Sequence, residues 1–167
     1  MEVKEAIAAR RSIRKYLSKP IPDEIMAELL EAMRLAPSAN NRQPWSVIVV
    51  TDEDMKRKLV PVSGGQRFVG ECSAYLVGVT DRSAPYSMMD LTMALDHLTL
   101  RAVELGLGTC WIGDFQPEEV KKMLGIPQDK DVPICMTVGY PVQTPTARRR
   151  KTLSELFKNN AWSTPWP

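Results

Sequence analysis

The chain has 167 residues, 44% of them hydrophobic and 25% charged, with 22 basic against 20 acidic side chains for a net charge of +2. This fits one soluble globular domain and not a disordered chain. The charge is too balanced for nucleic acid or a membrane surface to be the main partner, and no apolar run approaches the ~18 residues of a membrane span.

The elements follow in chain order. Val3 to Arg11 reads as a short helix. Asp23 heads a second, with Ile25, Met26, Leu29, Leu30 and Met33 at helical spacing, and Pro37 stops it. SVIVVT (Ser46 to Thr51) is a buried strand by its β-branched run. Asp52 to Leu59 reads as a helix, and AYLVGVT (Ala74 to Thr80) as a second strand. Tyr86 to Leu105 is the longest helix. Met89, Met93, Leu100 and Val103 lie on one side of it, and Leu91, Leu95, Leu98 and Leu105 on another. A helix so apolar around its girth has to be covered on two sides. One core cannot do that, so a second copy of the chain is expected. Gly106 and Gly108 end the helix, Thr109 to Phe115 is extended, and Pro117 to Leu124 is a short helix. ICMTVGY (Ile134 to Tyr140) is a third clear strand. After Pro141 comes a Pro-, Thr- and Arg-rich stretch, then a capping-box pattern at Thr152 and Glu155. The tail carries Leu153, Leu156, Phe157, Trp162 and Trp166, and is expected to pack on something. The order of strands and helices indicates an α+β fold, one sheet flanked by helices.

Several chemistries are excluded. Gly106-Leu107-Gly108 lacks the third glycine of a dinucleotide fingerprint and follows a helix. There is no phosphate-binding GxxxxGK[ST] loop and no G-x-S-x-G elbow. Cys72, Cys110, Cys135 and His97 lack metal-ligand spacing, so no metal is expected. The cysteines read as reduced, buried thiols in the cytoplasm, and His97 as a packed, hydrogen-bonded histidine. Two arginine clusters remain, RRSIR (Arg10 to Arg14) and RRRK (Arg148 to Lys151). Arginine forks suit phosphate oxygens, and Ser12 adds a hydroxyl donor. In an extended segment Arg148 and Arg150 face one way and Arg149 the other. Either cluster alone also reads as a solvated charge run. APSANNRQPW (Ala36 to Trp45) leads into the first strand. Its Asn41 and Gln43 offer donors and acceptors for the edge of a planar heterocycle.

RRSIR after a short helix, PSANNRQPW, GGQRF (Gly64 to Phe68), GLGTCWIG (Gly106 to Gly113) and Arg148-x-Arg150 occur in one order over Val3 to about Leu156. In this the chain resembles the nitroreductase family of flavoproteins. The resemblance implies a mixed, mostly antiparallel sheet between helices and an interlocked homodimer. FMN would lie in grooves at the subunit interface, and the C-terminal extension would wrap the other protomer. It places Arg10 and Ser12 near the FMN phosphate and ribityl chain, with Arg11 acting mostly through its backbone. Arg14 falls beside the flavin N1 and O2 edge, and Arg148 and Arg150 at the phosphate. Pro37, Ser38 and Ala39 reach the flavin from the other subunit, with Asn41 nearby, and Gln66 is an amide near the pyrimidine edge. The strand Cys110, Trp111, Ile112, Gly113 crosses the flavin with backbone N–H groups toward N5; the Trp111 side chain is open to a core or a stacking role.

A single domain over 1–167 is therefore expected, with 141–167 an extension onto the partner. The function expected is an FMN-dependent NAD(P)H oxidoreductase reducing nitroaromatic, quinone or similar planar acceptors by ping-pong hydride transfer. No side chain is expected as nucleophile or base, and Arg14 acts as an electrostatic stabiliser. The alternative is a protein that stores or senses FMN without turnover. Family members with inserted helices before the long helix have a lid over the flavin; here Asp81 to Pro85 is a short connection.

Overall fold

The computed structural model describes residues 1–166; Pro167, the last residue of the expected extension, lies outside them. The elements are α1 (Val3–Ala9), α2 (Asp23–Arg34), a 3-10 turn (Ala39–Asn41), β1 (Trp45–Val50), α3 (Glu53–Val62), α4 (Phe68–Glu71), β2 (Ala74–Asp81), α5 (Ser87–Glu104), β3 (Gly108–Ile112), α6 (Pro117–Leu124), β4 (Lys130–Gly139) and α7 (Leu153–Leu156). Local chemistry sets the boundaries. The Asp52 carboxylate accepts the Met55 N–H at 2.7 Å and starts α3. Gly106, at φ 73°, turns the chain from α5 into β3. The Thr152–Glu155 capping box opens α7.

The sheet order is β1-β2-β4-β3, and every neighbouring pair is antiparallel. The parallel component is the isolated bridge between Ser12 and Thr109. β2 lies inside the sheet and is covered on both faces, which is why it reads as an unbroken apolar run. Tyr75, Val77 and Val79 face the core under α3, α4 and α6; Ala74 and Leu76 face the core under α2 and α5. β4 starts at Lys130, not at Ile134. Its extra length crosses a bulge, where Gly78 pairs with Ile134 but Thr80 with Asp131. The inserted residue returns Val132 to the same face as Cys135, and Pro133 sits at this irregularity, where a missing N–H is tolerated.

α5 packs one side as its sequence requires: Leu91, Leu95 and Leu98 are fully buried. It lies so close to β2 that a Cβ on Gly78 would stand 2.7 Å from Leu91 Cδ2. The other side is less covered, with Met88 57% and Met89 62% exposed. His97 differs from expectation: it is exposed, because the core claims Leu95 and Leu98 and turns the position between them outward.

Candidate active site

RRSIR leaves α1 and runs along the open edge of β3. The Ile13 N–H donates to Thr109 O at 2.9 Å. A Cβ on Gly108 would clash with Ile13 Cγ1, so this approach depends on glycine. The Tyr16 hydroxyl, buried, donates to Ile13 O at 2.8 Å and meets Thr137 Oγ1 of β4 at 2.7 Å. Burial drives the Tyr16 phenol well above its ordinary range. At the other end, Leu17 N–H donates to Tyr140 O at 2.8 Å and Val142 N–H to Lys15 O at 3.1 Å. These bonds set the chain leaving β4 antiparallel to residues 15–17 and return it toward RRSIR.

Arg10, Arg11, Ser12 and Arg14 therefore line one cavity of 720 Å³ with Thr146, Arg148 and Arg150. That volume falls in the range of ordinary small-ligand sites. None of the lining residues is acidic, and none of these arginines forms an ion pair among the described residues. Arg34, Arg57, Arg82 and Arg101, by contrast, each hold a carboxylate. Converging guanidinium groups without counter-charges have the chemistry to hold an anion. Arg11 differs in detail from its neighbours. Its Nη1 donates to Ala8 O at 2.6 Å and to Arg10 O at 2.8 Å. It covers the carbonyl end of α1, whose dipole would otherwise repel an anion there.

Cys110 on β3 is 2% exposed. Burial raises its thiol above the ordinary range, while Arg14, Ser12 and Arg10 pull the other way. The thiol thus lies next to the cavity residues and stays protonated. Ile112 is buried in the core under α3 and α6, and Trp111 packs, half-buried, against the core under α2 and α5. Both side chains are committed to packing, which leaves the backbone of this strand as its chemical face; Gly113 just beyond it is exposed.

Pro37, Ser38, Ala39, Asn41 and Gln66 do not line this cavity. The Gln66 side-chain amide donates to Ser63 O at 3.1 Å and to Asp114 O at 3.3 Å, tying the GGQRF loop to the end of β3. Asn41 and Gln43 are both exposed and hydrogen-bonded to each other, with Gln43 Nε2 donating to Asn41 Oδ1 at 3.0 Å. Thr146, which the composition of the 141–150 stretch concealed, joins the cavity wall.

The Nitroreductase family model matches residues 7–70 and 62–140. The chain belongs to the nitroreductase family. An NADH dehydrogenase of Thermus thermophilus is 29% identical over 181 residues, spanning 86% of this chain and 88% of that one. An NADPH-flavin oxidoreductase of Vibrio harveyi is 30% identical over 164 residues, spanning 87% of this chain and 68% of that one. Among solved structures, the Vibrio harveyi NADPH:FMN oxidoreductase complexed with NAD+ superposes with a TM-score of 0.90 at 26% identity, covering 96% of this chain and 78% of that one. The four-stranded antiparallel sheet between helices is thus this chain's share of the family fold.

Proposed function

We propose that the arginine cavity binds the phosphate end of FMN, each residue in the role its position suggests. The chain is an FMN-dependent NAD(P)H oxidoreductase, the activity carried by its relatives' names and its family. One observation carries the cofactor assignment: unpaired arginines from both ends of the chain converge with Ser12 on a single cavity. Their chemistry fits a phosphate dianion, which needs several cationic donors at once.

Bound FMN supplies the two-electron redox chemistry. Arg10, Ser12, Arg148 and Arg150 bind its phosphate, and Arg11 removes the competing carbonyl charge of α1. Arg14 would hold a fixed positive charge toward the N1 and O2 edge of the bound flavin. The backbone of Cys110 to Gly113 would offer N–H donors to the flavin N5, and Gln66 steadies the end of that strand. Pro37, Ser38 and Ala39, with Asn41, serve the flavin of the other subunit. NAD(P)H and a planar acceptor, a nitroaromatic or a quinone, take turns in one pocket, so kinetics are ping-pong.

The homodimer belongs to this reading. Met88 and Met89 on α5, and Leu153, Leu156, Phe157 and Trp162 in the extension, are all more than half exposed in one chain. Apolar surface of this extent calls for a partner, and a second copy offers the matching patches. We take 1–167 as one domain whose 141–167 stretch packs on that copy. Three unpaired, buried thiols favour the cytoplasm; among the described residues no helix is long and apolar enough to cross a membrane.

The test is the absorption spectrum of protein reconstituted with FMN, before and after NADH or NADPH is added without oxygen. Retained flavin that bleaches, and recovers with a quinone, supports the reading. Protein that retains no added FMN refutes it.

A further inference from the structure

Asp90 lies in the first turn of α5 and is 2% exposed. Its Oδ1 accepts the backbone N–H of Ala39 at 3.1 Å. Its Oδ2 is buried with no partner among the described residues. Ala39 opens the 3-10 turn of the Pro37–Asn41 loop. Around it Asn40 (φ 52°), Asn41 (φ 54°) and Gln43 (φ 50°) all occupy the left-handed region. Asn tolerates that region, whereas Gln adopts it at a cost and keeps it only where its surroundings enforce it. The loop's other hydrogen bonds are local: Gln43 N–H to Ser38 Oγ at 3.1 Å, Asn41 N–H to Ser38 O at 3.0 Å, and the Gln43–Asn41 amide pair. Among the described residues, the Asp90 bond is the one that ties residues 38–43 to a distant part of the chain.

A neutral acceptor could hold the Ala39 N–H without leaving an orphan oxygen. A buried carboxylate with one oxygen unmatched is destabilising, although the N-terminal end of α5 favours its negative charge. A group kept at such a cost indicates function more than packing. We propose that Asp90 is a positioning residue for the flavin reaction. It touches neither cofactor nor substrate, and fixes Pro37, Ser38 and Ala39, at the start of the left-handed stretch, in the place where they meet the flavin. This rests on the reading above that the loop reaches the flavin.

The test uses the full-length protein with FMN. It measures FMN dissociation by flavin fluorescence, the shape of the bound-flavin absorption band, and folding by circular dichroism. Asp90→Ala is expected to weaken FMN retention about tenfold, the effect of one lost charge-assisted hydrogen bond, and to alter the absorption band. Asp90→Asn, whose amide oxygen can still accept from Ala39, restores most of the affinity. Ala39→Pro removes the donor from the other side at the first position of a helical turn, where proline is tolerated, and is expected to reproduce Asp90→Ala. The double variant is then no weaker than the worse single one. Ala39→Pro also keeps the question open to measurement if Asp90→Ala does not fold. FMN affinity unchanged in Asp90→Ala, or losses that add in the double variant, would overturn the proposal. If the wild-type protein itself binds no FMN, the reading of the site falls and the role of Asp90 falls with it. If the wild type binds FMN and Asp90→Ala binds it equally well, only the role of Asp90 is lost.

Discussion

Leu91, Leu95 and Leu98, in the middle of the chain, are fully buried, whereas Leu153, Leu156, Phe157 and Trp162, in the arm after Pro141, are more than half exposed. The arm is nonetheless ordered locally. α7 has its capping box, and Trp166 N–H donates to Phe157 O at 3.0 Å. Arginines divide the same way. Arg34, Arg57, Arg82 and Arg101 in the body pair with carboxylates, as Arg34 does with Glu31 at 2.6 Å, while those the arm brings to RRSIR have no counter-charge among the described residues. The middle of the body buries its leucines within the single chain. The arm carries charges and apolar surface that the single chain leaves unpaired and uncovered, as the proposed shared binding site requires.

Removing the arm is the strongest way to break this contrast. A chain ending at Pro141 should keep its circular dichroism, sediment as a smaller species, and bind FMN about a hundredfold more weakly or worse, since two charge-assisted contacts go at once. Full FMN affinity in the truncated chain would deny the arm its role. Gly108→Val tests the body's part in the same cavity. The branched side chain would drive Ile13 off β3, destabilise the fold by about 1–3 kcal/mol in urea titration, and loosen FMN with it. Arg150→Ala should weaken FMN binding about tenfold without lowering the apoprotein's melting temperature, because it removes a charge that repels its neighbours.

A smaller effect concerns pH. Burial pushes the Cys72 and Cys135 thiols up to about 12 from an ordinary value of 9.0. The unfolded chain loses these protons at lower pH than the folded one. Their stabilising contribution is therefore complete below pH 9 and fades as pH rises from 9 toward 12. Melting temperatures should fall across that window, and native protein at pH 8 should resist thiol reagents at both sites. Arg34→Ala should be the quietest change: the exposed Arg34–Glu31 pair is screened by water, so neither FMN affinity nor melting temperature should move measurably.

Much of the fold is legible in the residues. The apolar runs of β1 and β2, the Pro117 start of α6 and the Thr152–Glu155 box are local signals that tertiary contacts left in place. α4 was not legible, since four residues carry too little periodicity. The first turns of β4 were hidden too, because Pro133 disguises a bulged strand as a break. In the site, RRSIR and Arg148-x-Arg150 stand out as charge clusters, but a charge cluster alone is indistinguishable from a solvated face. The pairing of Asn41 with Gln43, the outward turn of His97 and the grip of Asp90 on Ala39 leave no trace in composition or spacing.

Residue chemistry by itself determined the kinds of element, the family motifs and the surplus of apolar side chains beyond one core, because propensity, capping and periodicity act over a few neighbouring residues. Tertiary structure decided which arginines meet and which are neutralised. That depends on long-range pairings, Ser12 with Thr109 and Leu17 with Tyr140, whose partners are far apart along the chain.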